Sequence, residues 1–193
     1  MTAAAPRLRH WRGWVGAAEA DGWLRTLLEE VPWKQESIIV YGRRHAMPRL
    51  TCWMADPGCG YRYSGLENAI EPWTPLVATI RRRVGEAATR EFNSLLLNLY
   101  RDGRDAMGWH ADDEAELDPD APIASLSLGA SRTLRFRPRR RGTAEAVAVE
   151  LGHGDLLLMD PPTQHHWQHG LPRRLKVDAP RLNLTFRVVR VPP

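Results

Sequence analysis

The feature that most constrains the fold is a series of short apolar stretches, separated by turn residues, that runs from Phe92 to the end of the sequence. Eight of them have the length and residue types of β-strands: 94–100, 107–112, 122–128, 132–136, 146–151, 156–159, 165–169 and 181–189. Eight short strands at such spacing are typical of a double-sheet jelly roll. The sequence therefore predicts a mainly β, α+β protein built on a double-stranded β-helix.

Two amphipathic helices are predicted before this series. The first covers 17–30, where Trp23 and Leu27 recur at helical spacing, and it ends before Pro32. The second begins with Thr74 as N-cap and Pro75 at the first helical position. Extended segments are expected at 37–41, 50–53 and 61–63. We expect the two helices to cover one sheet of the jelly roll.

Composition limits the class of protein. A chain of 193 residues with 43% hydrophobic residues can bury one substantial core, and no stretch has the apolar length needed to span a bilayer. The N-terminus lacks the hydrophobic run of a secretory signal, which predicts a cytoplasmic protein with Cys52 and Cys59 as thiols. All but two of the 27 basic residues are arginine, which permits a nucleic-acid partner, although a GC-rich genome produces the same bias.

A candidate metal site begins at His110 and Asp112. Residues i and i+2 point to the same side of a strand, whereas on a helix they point to different sides. An imidazole and a carboxylate arranged in this way, with one distant histidine, would form the facial site of non-haem Fe(II) oxygenases. A histidine and an aspartate at this spacing are also common as a surface pair, so the pattern is weak by itself.

The last predicted strand carries polar and apolar residues alternately. Arg181, Asn183, Thr185 and Arg187 share one face, and Leu182, Leu184, Phe186 and Val188 share the other. If the polar face lines the inside of the roll, its arginines require an anionic partner, and a small dicarboxylate fits. Asn98 and Tyr100 alternate onto one face in the same way and can bind the same acid. The alternative is an edge strand with exposed arginines.

The third metal ligand is left open by spacing. His165, His166 and His169 lie close together near the end of one predicted strand. Alternation puts His165 and His169 on one face and His166 on the other, which does not distinguish the first two.

Five stretches of the sequence carry a resemblance to a known family. They are N-S-L-L-L-N-L-Y-R-D-G at 93–103, W-H-A-D-D-E at 109–114, P-I-A-S-L-S-L-G at 122–129, W-Q-H at 167–169 and R-L-N-L-T-F-R at 181–187. Together they resemble the AlkB family of Fe(II)- and 2-oxoglutarate-dependent dioxygenases, which repair alkylated nucleobases. The resemblance covers residues 17–189 and is closest to the branch of nuclear animal DNA-repair homologues.

The resemblance implies a role for each candidate residue. Iron would be held by His110, Asp112 and His169, so the family pattern favours His169 over His165. 2-Oxoglutarate would be held by Asn98, Tyr100, Arg181, Asn183, Thr185 and Arg187. The chain would then form a single domain over 1–193, with the helices and a nucleotide-recognition lid in 1–90 and the jelly-roll catalytic core in 91–189.

Substrate contacts are implied at two further places. Tyr61, Arg62 and Tyr63 match the family's lid, with Tyr63 stacked on a flipped base whose other side meets His110; the alternative is a tyrosine-rich hairpin packed on the barrel. Asp113 would contact the exocyclic amine of the base, beside Glu114. Tyr41, Gly42 and Arg43 fall where relatives carry a hairpin that fills the gap in the duplex, although tyrosine departs from a purely apolar wedge.

The implied reaction is oxidative demethylation of 1-methyladenine and 3-methylcytosine. It would consume O2 and 2-oxoglutarate and release formaldehyde, succinate and CO2. The expected partner of this monomeric, membrane-free protein is alkylated DNA, single- or double-stranded, or RNA. Two alternatives remain open: a related dioxygenase that acts on RNA or on a protein side chain, and a non-catalytic jelly-roll binding module.

Overall fold

The computed structural model describes residues 4–40, 42–59, 62–63, 66–67, 70–140 and 142–191, with the backbone alone for 38–40, 62–63 and 66–67. The elements in chain order are β1 (Leu8–Trp11), α1 (Ala17–Glu30), β2 (Ser37–Val40), β3 (Arg43–Ala46), β4 (Leu50–Ala55), β5 (Arg62–Tyr63), β6 (Leu66–Glu67), α2 (Pro75–Ala88), β7 (Ser94–Tyr100), β8 (Met107–His110), β9 (Ile123–Gly129), β10 (Arg132–Pro138), β11 (Val147–Leu151), β12 (Asp155–Met159), α3 (Thr163–His166), β13 (Trp167–Leu171) and β14 (Arg181–Arg187).

Ten strands form two antiparallel sheets. The major sheet has six strands in the order β1-β12-β9-β14-β7-β4, and the minor sheet has four in the order β11-β10-β13-β8. Neighbours in each sheet are mostly distant in sequence, as in a jelly roll, where the chain alternates between two layers. The predicted double-sheet fold, mainly β with flanking helices, is confirmed.

The predicted helices cover the major sheet. Helix α1 has the predicted bounds, and α2 begins at Pro75 with the Thr74 side chain accepting a hydrogen bond from the Val77 amide at 3.3 Å. Their buried residues share one apolar cluster with alternate residues of β7, β9, β12 and β14, among them Leu97, Leu126 and Leu184. Because strand residues alternate between faces, the polar residues between these leucines face the other way, toward the minor sheet.

Several predicted strand boundaries differ by one or two residues, and two of these differences affect candidate site residues. The strand predicted over 107–112 ends at His110, so Asp112 lies in the bend that follows it. The strand predicted over 165–169 begins only at Trp167, because His165 and His166 belong to the single helical turn α3. That turn is closed by local hydrogen bonds after two prolines, with the His165 amide donating to the Pro162 carbonyl at 3.0 Å.

Two short hairpins lie outside the main sheets. Strands β2 and β3 pair antiparallel, with Val40 opposite Arg43, and Gly42 in their connection has a φ of +74° that favours glycine. Strands β5 and β6 form the second hairpin, with Tyr63 opposite Leu66. Within the described ranges, no helix is long and apolar enough to cross a membrane. Cys52 and Cys59 are buried free thiols, as expected.

Candidate active site

Three side chains of the predicted metal site meet at one edge of the minor sheet. The antiparallel register places His110 of β8 opposite His169 of β13, and their ring centroids are 4.2 Å apart. From the bend after β8, the Asp112 carboxylate approaches both rings, with Oδ1 4.0 Å from His110 Nε2 and Oδ2 3.7 Å from His169 Nε2. One ligand atom of each residue lies within 4.8 Å of the others, so the three could hold one metal ion.

The protonation states suit a divalent cation. His110 Nδ1 donates to the Gly108 carbonyl oxygen at 2.9 Å, so Nε2 is the ring atom left for a ligand. Burial lowers the pKa of His169 to about 3, which keeps that ring neutral at pH 7. Burial alone would raise the pKa of Asp112, but the Arg187 charge, with the two histidines, holds it at about 2. Two neutral imidazoles and one carboxylate are the donor set of non-haem Fe(II) oxygenases.

Asp112 is held from two sides and keeps one oxygen for a ligand. Its Oδ1 accepts a hydrogen bond from Arg187 Nη2 at 2.5 Å, and its amide donates to Gln164 Oε1 at 3.1 Å. Its Oδ2 is buried and has no hydrogen-bond donor within the described part of the chain. A buried carboxylate oxygen without a donor is costly, and a metal ion between it and the imidazoles would satisfy it. The residues present therefore fit the implied metal.

Beside the metal group, the major sheet presents a polar wall. In the β7–β14 ladder Asn98 lies opposite Asn183 and Tyr100 lies opposite Arg181, so four of the predicted residues occupy one patch of sheet. The metal group and the predicted dicarboxylate residues line a single cavity: His110, Asp112, His169, Asn98, Tyr100, Arg181, Asn183, Thr185 and Arg187. The structure thus brings together these nine residues of the sequence prediction.

The wall is cationic and tightly hydrogen-bonded. Arg181 is 2% exposed, donates from Nη2 to Ser127 Oγ at 2.8 Å, and has no carboxylate partner among the described residues. Its Nε has no acceptor there either. Burial lowers the pKa of Arg181 to about 10, so it is still charged at neutral pH. Such a charge needs an anion in the cavity, which is the role expected for a dicarboxylate.

Sequence reasoning missed several residues of this wall. Ser125 Oγ accepts from Asn183 Nδ2 at 2.7 Å, and Ser127 holds Arg181. The signal was present, because serine alternates with apolar residues in β9 as asparagine does in β7. Arg49, directly before β4, donates from Nε to Asn98 Oδ1 at 2.8 Å, which turns the Asn98 amide nitrogen toward other acceptors. Nothing local in the sequence marks Arg49.

Asp113 and Glu114 line a second, wider cavity of about 340 Å³. It shares Asp112, Met159 and Arg187 with the first, so the two cavities adjoin at the metal group. Further acidic residues, Asp118 and Asp120, lie on its lining. The Asp113 carboxylate accepts a hydrogen bond from Arg139, which already shows that this position attracts a guanidinium cation.

The other predicted substrate residues that the structure describes belong to two hairpins. Arg62 and Tyr63 form β5, whose backbone alone is described, and Tyr61 lies outside the described residues. At the β2–β3 hairpin, Gly42 occupies the connection and Arg43 is exposed, while Tyr41 also lies outside the described residues. Gly42 and Arg43 do not line either cavity.

Comparisons with known proteins agree with this arrangement. The sequence profile of the 2OG-Fe(II) oxygenase superfamily matches residues 7–187. The chain is 45% identical over 183 residues to the DNA oxidative demethylase ALKBH2 of Mus musculus, covering 90% of this chain and 77% of that protein. The same protein of Homo sapiens is 43% identical over 183 residues, covering 90% of this chain and 70% of the relative.

A second group of relatives and one solved structure extend the comparison. The alpha-ketoglutarate-dependent dioxygenase alkB homolog 3 of Homo sapiens is 41% identical over 189 residues, covering 94% of this chain and 65% of its own length. The solved structure of OsALKBH1 superimposes with a TM-score of 0.65 at 17% identity, covering 96% of this chain and 98% of that one. At that identity the superposition supports the fold alone.

Proposed function

We propose that this chain, which belongs to the AlkB family of 2OG-Fe(II) oxygenases, oxidatively demethylates N-alkylated bases in DNA. Its cofactor is Fe(II), and 2-oxoglutarate and O2 are its cosubstrates. The proposed substrates are 1-methyladenine and 3-methylcytosine, and the products are the repaired base, formaldehyde, succinate and CO2. This substrate class follows the names of the ALKBH2 relatives and the chemistry of the wider cavity.

The observation that carries the proposal is the junction of the two cavities at Asp112 and Arg187. One cavity is cationic and suits a dicarboxylate. The other is lined with acidic side chains and suits a cation, and methylation at N1 of adenine or N3 of cytosine leaves the base positively charged. A substrate in each would meet at the metal group.

We assign the metal to His110, Asp112 and His169. Iron, loaded with 2-oxoglutarate and O2, supplies the oxidising power needed because an N-methyl carbon has no leaving group for hydrolysis. Arg187 holds the Asp112 carboxylate in place, and Gly108 fixes the ring orientation of His110. These contacts pre-organise the ligands before any metal binds.

The dicarboxylate is assigned to Asn98, Tyr100, Arg181, Asn183, Thr185 and Arg187. Strand β14 runs from Arg181 to Arg187. Arg187 donates a hydrogen bond to Asp112 of the metal group, whereas Arg181 donates to Ser127. We therefore place the 2-oxo acid end of the cosubstrate near Arg187 and its distant carboxylate near Arg181. A guanidinium binds a carboxylate through two parallel hydrogen bonds, which fixes orientation as well as affinity.

For the base, Asp113 and Glu114 provide the electrostatic attraction. In the free protein Arg139 forms an ion pair with Asp113, and both side chains are partly exposed. Because exposed ion pairs are weak, a cationic base can displace Arg139 from Asp113 at low cost in free energy. We assign Tyr63 to stack on the flipped base opposite His110, with Tyr61 and Arg62 as its neighbours on the lid. Lost Watson–Crick pairing makes flipping of a methylated base cheaper, which adds selectivity.

The oxidised methyl carbon leaves without further protein chemistry. Hydroxylation of the N-methyl group gives a hemiaminal, in which cleavage of the C–N bond releases formaldehyde and returns the base to its unmodified form. The protein's part is to hold the methyl group beside the metal group and to keep bulk water away.

We assign Tyr41, Gly42 and Arg43 to the DNA duplex around the flipped base. The proposal keeps the cytoplasmic, monomeric protein expected from the sequence.

The test combines binding and turnover. Purified chain is loaded anaerobically with Fe(II) and 2-oxoglutarate, then exposed to O2 and a DNA oligonucleotide that contains one 1-methyladenine. We expect repaired adenine and formaldehyde in equal amounts, with succinate formed. Matched RNA and unmodified DNA oligonucleotides run in parallel. Succinate formation without any repaired base, or repair confined to RNA, would contradict the DNA assignment.

A further inference from the structure

Arg132 is a buried arginine to which no role has been assigned above. It lies near the end of the cavity that is lined by the metal group and the dicarboxylate residues, here called the cosubstrate cavity. It is 1% exposed and is the first residue of β10. Along that strand Arg132, Leu134 and Phe136 point inward; Leu134 lines the cavity, and Phe136 packs on the His169 ring with centroids 5.8 Å apart. Strand residues rise about 3.3 Å each, so Arg132 lies some 13 Å along the strand from Phe136, at the end remote from the metal group.

The Arg132 guanidinium is bonded to main-chain carbonyl oxygens. Nη1 donates to Asp102 O at 3.2 Å, and Nη2 donates to Asp105 O at 2.9 Å and to Pro172 O at 2.7 Å. These bonds hold the group rigidly, but carbonyl oxygens carry no net charge. The positive charge therefore remains to be balanced.

The nearby acids are already paired with other arginines. Arg101 Nε donates to Asp105 Oδ2 at 2.8 Å, and Arg104 Nη2 donates to Asp102 Oδ2 at 2.6 Å. Both of those arginines are much more exposed than Arg132. No salt bridge between Arg132 and a carboxylate is formed within the described residues.

Tyr100 lies close both to this charge and to a second one from the opposite sheet. The Arg132 Cζ atom is 5.9 Å from the centroid of the Tyr100 ring, and the Arg181 Cζ atom is 5.5 Å from it. Burial lowers the pKa of both guanidiniums, the physical signature of cations that lack a full counter-charge. Two buried positive charges flank one phenol that lines the cavity, and a single carboxylate there would lower the energy of both.

We propose that Arg132 is a positioning residue that makes the cavity selective for a 2-oxo acid with a second carboxylate. Its charge acts through Tyr100 on the end of the cosubstrate remote from the metal. Arg181 supplies the direct hydrogen bonds, and Arg132 supplies the second charge without entering the cavity lining. The inference depends on 2-oxoglutarate as cosubstrate and is independent of which nucleic acid or base is repaired.

Two substitutions separate the charge of Arg132 from its hydrogen bonds. Arg132→Gln keeps an amide donor for the carbonyls but removes the charge, whereas Arg132→Lys keeps the charge and loses the planar fork. Arg135→Gln is the matched control, because Arg135 is on the same strand but exposed on the outer face. Thermal unfolding of each variant monitors the fold.

Binding is measured by calorimetry with Mn(II) in place of iron and without O2. The two ligands are 2-oxoglutarate and 2-oxopentanoate, which carries a methyl group where the distant carboxylate would be. We expect Arg132→Gln to raise the dissociation constant of 2-oxoglutarate about tenfold, with little effect on that of 2-oxopentanoate. At an effective dielectric constant of about 20, the interaction of two charges is large enough for a tenfold change in affinity. Arg132→Lys and Arg135→Gln should keep the wild-type ratio of the two dissociation constants.

Equal weakening of both ligands by Arg132→Gln would mean a structural role and would overturn the proposal, as would unchanged binding. If Arg132→Gln does not fold, Arg132→Lys decides. A preserved preference for 2-oxoglutarate then supports the charge, and a lost preference shows that only the carbonyl hydrogen bonds matter.

Discussion

Arg187 Nη2 donates a 2.5 Å hydrogen bond to Asp112 Oδ1, and both side chains are at most 2% exposed. This contact connects the last residue of the dicarboxylate wall to a metal-group carboxylate. The two binding functions therefore share an ion pair, so a change at Arg187 is expected to affect both.

Arg187→Met should weaken both metal and cosubstrate binding, because it leaves a buried carboxylate without its cation. Breaking a buried pair from one side costs about 3–5 kcal/mol, so the free energy of unfolding should fall by that order. Urea denaturation measures stability, and calorimetry with Mn(II) and then 2-oxoglutarate measures binding. Wild-type Mn(II) affinity in a folded Arg187→Met variant would show that the ion pair is dispensable to the metal.

Asp112→Ala should abolish metal binding and turnover, because it removes the one carboxylate of the donor set. His165→Ala is the matched control, since His165 belongs to the helical turn α3 and is not in the three-residue group. Metal content after loading and 2-oxoglutarate turnover are the measurements. Turnover lost in His165→Ala but kept in Asp112→Ala would reverse the ligand assignment.

Asp113→Asn should reduce repair of cationic bases more than repair of neutral ones, because it removes a negative charge from the acidic cavity. We expect kcat/KM for 3-methylcytosine to fall about tenfold relative to 3-methylthymine, which is uncharged. Arg139→Gln frees the same carboxylate and should shift that ratio the opposite way. In an Asp113→Asn background, Arg139→Gln should have no further effect on the ratio. Equal effects of Asp113→Asn on both bases would refute the electrostatic role.

Asp155 should stabilise the fold in a pH-dependent way. Burial alone would raise its pKa, but the Gly152 and Gly13 amides, each at 2.8 Å, and His10 at 3.0 Å hold it below the ordinary value. A carboxyl with a lowered folded-state pKa stabilises above its unfolded pKa of about 3.9, and loses that contribution as pH falls through the folded-state value.

Asp155→Asn should therefore lower the free energy of unfolding by roughly 1–3 kcal/mol at neutral pH, where the effect is largest. The Tm should fall accordingly. The difference from wild type should shrink steadily below about pH 4. Thermal unfolding from pH 7 to pH 3 tests this, with Asp120→Asn as an exposed control. A difference that is constant with pH would mean that the carboxylate charge plays no part.

Local patterns were sufficient for elements stabilised by nearby residues. The bounds of α1 and the start of α2 at Pro75 were predicted because apolar periodicity, a capping threonine and proline act within one or two turns. The strand Ser94–Tyr100 and the polar face of Arg181–Arg187 were predicted because alternation is a property of consecutive residues. The strand β1 was missed, because it is stabilised by pairing with β12 from the other end of the chain.

The sequence by itself determined which side chains could face a cavity, since the two-residue period of a strand assigns each residue to a face. It left His165 and His169 equivalent by spacing, and only the resemblance to the AlkB family favoured His169. Only the tertiary structure decided that His165 belongs to a helical turn outside the metal group, that His169 lies opposite His110, and that Arg132 lies close to the Tyr100 ring. Those relationships join residues tens of positions apart, and their geometry depends on the packing of two sheets, which no local pattern encodes.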